Sequence, residues 1–243
     1  MTIPTPPPTR PLELLKEQRS HVLLVLSNPK VGSERIFRSW YLGSYQQEIL
    51  ALTAVLSGQQ YEPHELDVSR GKYPGLPFSY LALYDLSVDG AQGALGVIER
   101  IRELHRRETS AAAPAMWLYY PVSERVGRSP AARPSLLTLA FANAIPGQEA
   151  EFREWYVTRH IRHALNIPAL VSGQCFERTQ FQSPGALVAG YCMIAVYEQE
   201  GTPEDMMRSF SSLPAGTLDF PAMDLARFAE WVYRPLPSRA RQP

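Results

Sequence analysis

The chain has 243 residues, of which 45% are hydrophobic and 20% are charged, and 24 basic side chains balance 24 acidic ones. This composition is typical of a globular protein, and a zero net charge provides no overall field that would attract nucleic acid or an anionic membrane. Two cysteines are too few for a disulfide-stapled secreted domain, and the sequence has neither a signal-peptide core nor an uncharged run that could cross a bilayer. We therefore expect a cytoplasmic protein with no nucleic-acid or membrane partner.

Hydrophobic periodicity and turn residues predict one series of elements that occurs twice along the chain. The first series comprises a strand at 22–26, a helix from Ser33, strands at 55–62 and 80–86, a helix at 91–106 and a strand at 116–120. The second series comprises a strand at 136–142, a helix from Gln148, strands at 170–178 and 191–197, a helix from 203 to about 213 and a strand at 228–233. Both early helices carry Glu in their first turn, where the helix dipole favours a negative charge.

The two series also share residue identities. Residues 28–62 align with 143–177 at a constant offset of 115, and 13 of the 35 aligned positions are identical. The identities include the tripeptide Ser-Gly-Gln at 57–59 and 172–174, and the correspondence continues at offsets of 113 and 114 through the later strands. A single order of matches over roughly 100 residues indicates a duplication.

The order β-α-β-β-α-β is that of the ferredoxin-like unit, a four-stranded antiparallel sheet with helices on one face. Because the other face of each sheet needs cover, we predict an α+β protein in which two such units pack sheet to sheet as an intrachain dimeric α/β barrel. The predicted divisions are a disordered Pro-rich N-terminus and lead-in (1–19), a first unit (20–122), a linker (123–134), a second unit (135–236) and a disordered tail (237–243). This pseudo-dimer could pair further as a homodimer.

One stretch of the second unit carries a motif of aromatic residues and one histidine. The pattern F-x2-W-Y-x3-H-x4-L-x2-P, with Trp155, Tyr156 and His160 at its centre, resembles the signature of EthD-like dimeric α/β-barrel proteins. The resemblance covers both units and implies the same barrel fold. Members of that family include cofactor-free cyclases, isomerases, decarboxylases and oxygenases that act on aromatic or polyketide-like compounds. The first unit has Tyr45 at the position of His160, which confines any histidine chemistry to one half.

His160 is the main candidate for catalysis. Phe152, Tyr156 and His160 lie on one i, i+4 row of a helix, which places the imidazole beside apolar rings. A histidine there can act as general acid or base near neutral pH. The alternative is a core histidine satisfied by a backbone carbonyl, or one exposed at the helix end. Ile161 and Leu165 form a row that points elsewhere, so we expect the helix to bend or stop near His160 and to open a cleft.

Other residues are candidates for substrate contact, and each has a structural alternative. Tyr45 could donate a hydrogen bond during catalysis, or it could be a packed aromatic residue. Aromatic residues repeated in both units favour core packing, and an Asn at a strand end commonly bonds to its own backbone. The candidate substrate-binding residues are Trp40, Tyr41, Asn143, Trp155, Tyr156 and Arg159.

The sequence predicts neither a cofactor nor a metal. It contains no Walker A loop, dinucleotide-binding glycine motif, G-x-S-x-G elbow or H-E-x-x-H motif, and His160 with His163 lacks further ligands. Cys175 and Cys192 are explained as small buried thiols.

These observations favour a cofactor-independent enzyme that acts on a small oxygenated aromatic or polyketide-like molecule. His160 would transfer a proton in a reaction of the lyase, isomerase, cyclase or dehydratase type. A ligand-binding or assembly module without chemistry is the alternative from another class. A third alternative is a haem-dependent enzyme, with ligation through His160 or His163.

Overall fold

The structure of the protein is a computed structural model that describes residues 13–15, 18–67, 71, 77–128, 135–182, 191–211 and 220–237. Its described strands join in one antiparallel sheet. They are β1 (Glu13–Leu15), β2 (His21–Ser27), β3 (Val55–Pro63), β4 (Tyr80–Leu86), β5 (Ala115–Pro121), β6 (Arg125–Gly127), β7 (Leu136–Ala142), β8 (Leu170–Gln182), β9 (Met193–Gln199) and β10 (Ala229–Pro235).

The helices lie outside this sheet. They are α1 (Glu34–Trp40), α2 (Gln46–Leu50), α3 (Gly90–Gly93), α4 (Leu95–Arg107), α5 (Glu149–Trp155), α6 (Ile161–Ala164) and α7 (Pro203–Ser211), with a short 3₁₀ helix at Leu225–Arg227. A π-helical segment, Tyr41–Tyr45, joins α1 to α2, and Tyr156–His160 joins α5 to α6 in the same way. Among the described helices, none is both long enough and apolar enough to span a membrane.

Eight strands close into a barrel. Its order is β8-β5-β2-β4-β3-β10-β7-β9, and β9 pairs back onto β8. The first unit contributes β5-β2-β4-β3 and the second contributes β10-β7-β9-β8, each with the ferredoxin-like order. Antiparallel pairing of β3 with β10 and of β5 with β8 joins the two sheets. The predicted α+β barrel of two ferredoxin-like units within one chain is therefore confirmed.

The barrel explains why its first strands are apolar on both faces. Every residue of β2 and β7 is buried, since one face of each strand meets the opposite sheet and the other meets helices. Three buried cores result, one between the two sheets and one between the helices and the sheet of each unit. Leu24, Phe141 and Trp231 are members of the core between the sheets.

Most element bounds agree with the sequence prediction to within two residues. Strand β8 continues beyond residue 178 to Gln182 because it pairs with β9 and also with β5 of the other unit. The predicted helix at 91–106 is divided at Ala94 into α3 and α4. Of the helix predicted to reach about residue 213, the part from 212 lies outside the described residues.

Two short strands lie where the sequence predicted the lead-in and the linker. Strand β6 pairs with β1 on one side and with β8 on the other, and Val126 fills the helix–sheet core of the second unit. Elements of three residues are too short to show a periodic pattern, which is why the sequence did not predict them. The remainder of the predicted lead-in at 1–12 and 16–17, of the linker at 129–134 and of the tail at 238–243 lies outside the described residues.

Candidate functional site

His160 lies in the helix–sheet core of the second unit, outside the barrel. Its side chain is 4% exposed and stacks on Tyr156, with ring centroids 4.6 Å apart and planes 10° apart. Trp155 packs on the same ring at 4.9 Å. Neither ring nitrogen has a hydrogen-bond partner among the described residues. Burial, with a smaller effect of the nearby His163, lowers the pKa of His160 to about 3, so the imidazole is uncharged at neutral pH.

Tyr45 occupies the equivalent place in the first unit. Its ring stacks on Tyr41 at 5.3 Å and 15°, and it packs on Trp40 at 4.7 Å. Burial raises the pKa of the Tyr45 hydroxyl well above its ordinary value. The structure therefore brings His160 together with Trp155 and Tyr156, and Tyr45 with Trp40 and Tyr41, but in two separate cores.

The helix does not stop at His160, because its backbone continues through a π turn into α6. In both units a side chain of the neighbouring strand donates a hydrogen bond to the backbone carbonyl of the first residue of the π-helical segment. Gln60 Nε2 donates to Tyr41 O at 2.6 Å, and Cys175 Sγ donates to Tyr156 O at 3.4 Å. The two π turns are thus duplicated features held against the sheet.

The other two candidates lie apart from these cores. Asn143 is buried, and its side chain accepts from Cys192 N at 2.9 Å and donates to Arg227 O at 3.2 Å. These bonds use its polar atoms within the chain, but they join it to backbone 49 and 84 residues away and not to its own backbone as in the structural alternative. Arg159 is exposed on the helix surface. His163, the other histidine considered for haem ligation, is exposed too, and within the described ranges no three His, Cys, Asp or Glu side chains are placed to hold a metal.

A polar cavity of about 270 Å³ lies between the two sheets, and the sequence analysis did not assign a role to its residues. Its walls combine charged, amide and hydroxyl side chains with apolar ones. The lining residues are Arg19, Ser57, Gln59, Tyr61, Leu83, Asp85, Arg125, Leu137, Ser172, Gln174, Val196 and Glu198. We refer to this space as the interior cavity.

Strand register places a serine beside a carboxylate in each unit. Ser57 on β3 is the direct partner of Asp85 on β4, and Ser172 on β8 is the direct partner of Glu198 on β9. One residue before each serine the register shifts, in an irregularity of the kind a β-bulge produces. A bulge changes which way the following side chains point, and such irregularities are common beside functional sites.

The first set of polar residues is centred on Asp85. Arg19 Nη1 donates to Asp85 Oδ1 at 2.5 Å, and Ser57 Oγ donates to Asp85 Oδ2 at 2.6 Å. Arg19 also donates to Gln174 Oε1 of the other unit, and its guanidinium lies 5.0 Å from the centre of the Phe176 ring. The Arg19 side chain is only 10% exposed, so its charge is held inside the protein by these partners.

The second set is centred on Glu198. Arg125 Nη2 donates to Glu198 Oε2 at 2.5 Å, and Ser172 Oγ donates to the same oxygen at 2.7 Å. Both hydrogen bonds that the Glu198 carboxylate accepts from described residues reach Oε2, and Oε1 accepts none from them. The two arginines and two carboxylates of the interior cavity sum to zero charge.

The duplication relates the two sets only in part. Ser57 corresponds to Ser172 at an offset of 115, and Asp85 corresponds to Glu198 at an offset of 113. The arginines are not repeat partners, since Arg19 precedes β2 whereas Arg125 lies in β6. The signal in the sequence was the identical Ser-Gly-Gln tripeptide, together with an acidic residue after the matched segments at 81–84 and 194–197.

Comparison with known proteins identifies the fold. No protein-family model matches the chain, and no curated protein matches it. Among solved structures, the putative monooxygenase of Fusobacterium nucleatum is 8% identical, with a TM-score of 0.57 over 91% of this chain and 94% of that one. A mutant chlorite dismutase from Candidatus Nitrospira defluvii is 12% identical, with a TM-score of 0.56 over 92% and 94%. At these identities the likeness establishes a shared dimeric α+β barrel and does not extend to an activity.

Proposed function

We propose that this protein binds a small, uncharged, oxygenated molecule in the interior cavity and transfers a proton on it through Glu198. The observation that carries the proposal is the pair of serine–carboxylate–arginine sets that face one cavity between the two sheets. The narrower EthD-like assignment belongs to this proposal as well, and it is supported by the motif around His160.

The cavity lining favours an uncharged ligand. Its ionised groups already compensate one another, so a charged ligand would leave one charge unpaired in a partly buried place. Gln59, Gln174 and Tyr61 make part of the lining polar, and the amide nitrogens of both glutamines donate to backbone carbonyls. Leu83 and Leu137 supply apolar surface for a ring or chain. A volume of about 270 Å³ lies just below the usual range of about 300–1,000 Å³ for ligand pockets, which favours a small molecule.

Glu198 is the group that we assign to proton transfer. Ser172 and Arg125 fix Glu198 through Oε2, so Oε1 can take a proton from one atom of the ligand. The same carboxyl group returns that proton to another atom, and the sum is an isomerisation that consumes no co-reactant. The apolar side chains of the lining could contact the ring of an aromatic ligand, which is why we include aromatic compounds in the proposed class.

His160 is less suited to this step in the observed arrangement. With a pKa of about 3, the imidazole is not in the protonated imidazolium form that acts as a general acid at neutral pH, and it is a weak base. Its ring nitrogens lie in the helix–sheet core, whereas the interior cavity lies on the other face of the sheet. A catalytic role for His160 stays a prediction, and replacement by Phe tests it in the assay described next.

Hydrogen exchange into a bound ligand tests the proposed chemistry. The protein is incubated in D₂O with uncharged enolisable lactones and phenolic ketones, and mass spectrometry measures the deuterium that each compound takes up. We expect a compound that raises the melting temperature also to exchange, and Glu198→Gln to slow exchange by about 100-fold or more while that shift persists. Glu177→Gln, which alters an ion pair with Arg153, is the matched control. Unchanged exchange in Glu198→Gln would refute the assignment.

A binding module without chemistry is the second candidate. It is favoured by the completeness of both arginine–carboxylate pairs without a ligand, which suits a rigid recognition surface. Compounds that raise the melting temperature but take up no deuterium in the presence of the wild-type protein would select this function.

A further inference from the structure

A groove on the outside of the second unit adjoins the interior cavity. It measures about 760 Å³ and lies between the helical segment around Val157 and Ile161 and the strand pair β1–β6. Its apolar side chains include Leu14, Val122 and Val126. Leu14 is 66% exposed, although it is a large hydrophobic residue. We refer to this space as the outer groove.

Two residues are common to the linings of the outer groove and the interior cavity. Arg19 and Gln174 line both spaces, and they are hydrogen-bonded to each other. Both are polar side chains with several rotatable bonds, and rotation about these bonds can part them without moving the strands. The two spaces therefore meet at this pair, which Asp85 and the Ser123 carbonyl also hold by hydrogen bonds.

From this continuity we propose that the ligand of the interior cavity carries an apolar arm, and that this arm lies in the outer groove between Arg19 and Gln174. The inference rests on the proposed function, since the polar head of the ligand would occupy the interior cavity. It narrows the substrate class to amphiphilic molecules that have an oxygenated head and an apolar chain or second ring.

The chemistry of the two spaces matches the two parts of such a molecule. The interior cavity offers hydroxyl, amide and ionised groups, which satisfy the oxygens of the head. The outer groove offers the exposed Leu14 and the half-buried Val122 and Val157 beside polar residues such as Thr158, and these apolar side chains would bury an arm that water would otherwise surround. Gln174 can exchange its hydrogen bond with Arg19 for one with the head as the arm passes.

A series of alkyl 4-hydroxybenzoates, from the methyl to the hexyl ester, tests the inference because the head is constant and only the arm grows. Dissociation constants are measured by titration calorimetry with the full chain. We expect the affinity of the wild-type protein to rise roughly two- to fourfold with each added methylene. Leu14→Asp should flatten this dependence and leave the affinity for the methyl ester unchanged. Ile36→Asp, a change at an exposed apolar residue of α1, is the matched control and should keep the full dependence.

The outcomes separate the two proposals. Chain-length dependence that persists in Leu14→Asp, or is absent from the wild-type protein, would overturn the groove assignment alone. Failure of the proposed function would appear instead as methyl-ester binding that Ser57→Ala and Ser172→Ala leave unchanged. Absence of binding by every ester would overturn the groove assignment for this substrate class.

Discussion

Replacing His160 by Phe should make the protein less sensitive to acid. In the folded state burial lowers the pKa of His160 to about 3, whereas an exposed histidine in the unfolded chain has a pKa of about 6.5. Above pH 6.5 neither state binds the proton, so the histidine does not affect stability through titration. As the pH falls below 6.5 the unfolded state gains a proton that the folded state cannot accept, and stability is lost until the pH reaches about 3.

The size of the effect follows from this pKa difference. Each pKa unit corresponds to about 1.4 kcal/mol, so the full difference amounts to about 5 kcal/mol at very low pH. Between pH 7 and pH 5, where only part of it develops, the wild-type protein should lose about 2 kcal/mol through His160. His160→Phe keeps an aromatic ring against Tyr156 and removes this loss. Other titrating groups contribute equally to both proteins, so the difference between them isolates His160.

Urea unfolding at pH 7 and pH 5 measures this difference. We expect the free energy of unfolding to fall by about 2 kcal/mol less in His160→Phe than in the wild-type protein. The reciprocal variant Tyr45→His places an imidazole in the equivalent aromatic stack of the first unit and should increase acid sensitivity. Equal losses in the wild-type protein and His160→Phe would show that His160 is protonated in the folded state, and the account of its burial would then be wrong.

Two further predictions concern stability. Gly58→Ala should destabilise the protein by about 1–3 kcal/mol, because the added Cβ would lie 2.5 Å from Tyr84 Cδ1. Gly96→Ala, in an open part of α4, is the control and should be neutral or stabilising. Thermal unfolding measures both variants, and a Gly58→Ala variant as stable as the wild-type protein would contradict the close packing. Asn143→Ala should lower the free energy of unfolding by about 2 kcal/mol, because the backbone partners of its side chain are partly buried. Asn28→Ala should lower it less, because the partners of Asn28 are exposed. Equal decreases in the free energy of unfolding, measured in urea, would contradict this reasoning.

The fold could be predicted because the chain contains it twice. Each weak strand or helix signal was supported by its copy about 115 residues away, and the uncovered face of one sheet required the other. The duplication gave no such help with β1 and β6, which have no copy of themselves. Their pairing depends on the backbone meeting the edge of β8, a long-range contact that local pattern does not encode.

The interior cavity could not be predicted, because each of its residues is ordinary for its position. Ser57, Gln59 and Asp85 are typical polar residues of strands whose other face is buried. Alternation alone would have assigned them to solvent, and closure of the barrel instead turns that face inward. His160 stood out because it is rare in such a row, but the row that carries it faces the helix–sheet core. The rings of Trp155 and Tyr156 pack against His160 there, as aromatic rings pack against Tyr45 in the first unit.

Polar residues are not the most stable filling for the interior of this barrel. Replacing them by apolar residues therefore tests whether they bind a ligand or only pack the two sheets together. A partly buried ion pair often contributes less to stability than apolar residues of the same volume, because desolvation offsets its attraction. If Arg19, Asp85 and Ser57 serve only to hold the sheets together, the combined variant Arg19→Met, Asp85→Leu and Ser57→Val should be no less stable in urea and should bind as the wild-type protein does. If they form a ligand site, the same variant should match or exceed the wild-type stability while its ligand-induced rise in melting temperature disappears. A variant that unfolds readily would contradict the premise of this comparison, because it would show that the Arg19–Asp85 pair stabilises the barrel more than apolar residues of the same volume do.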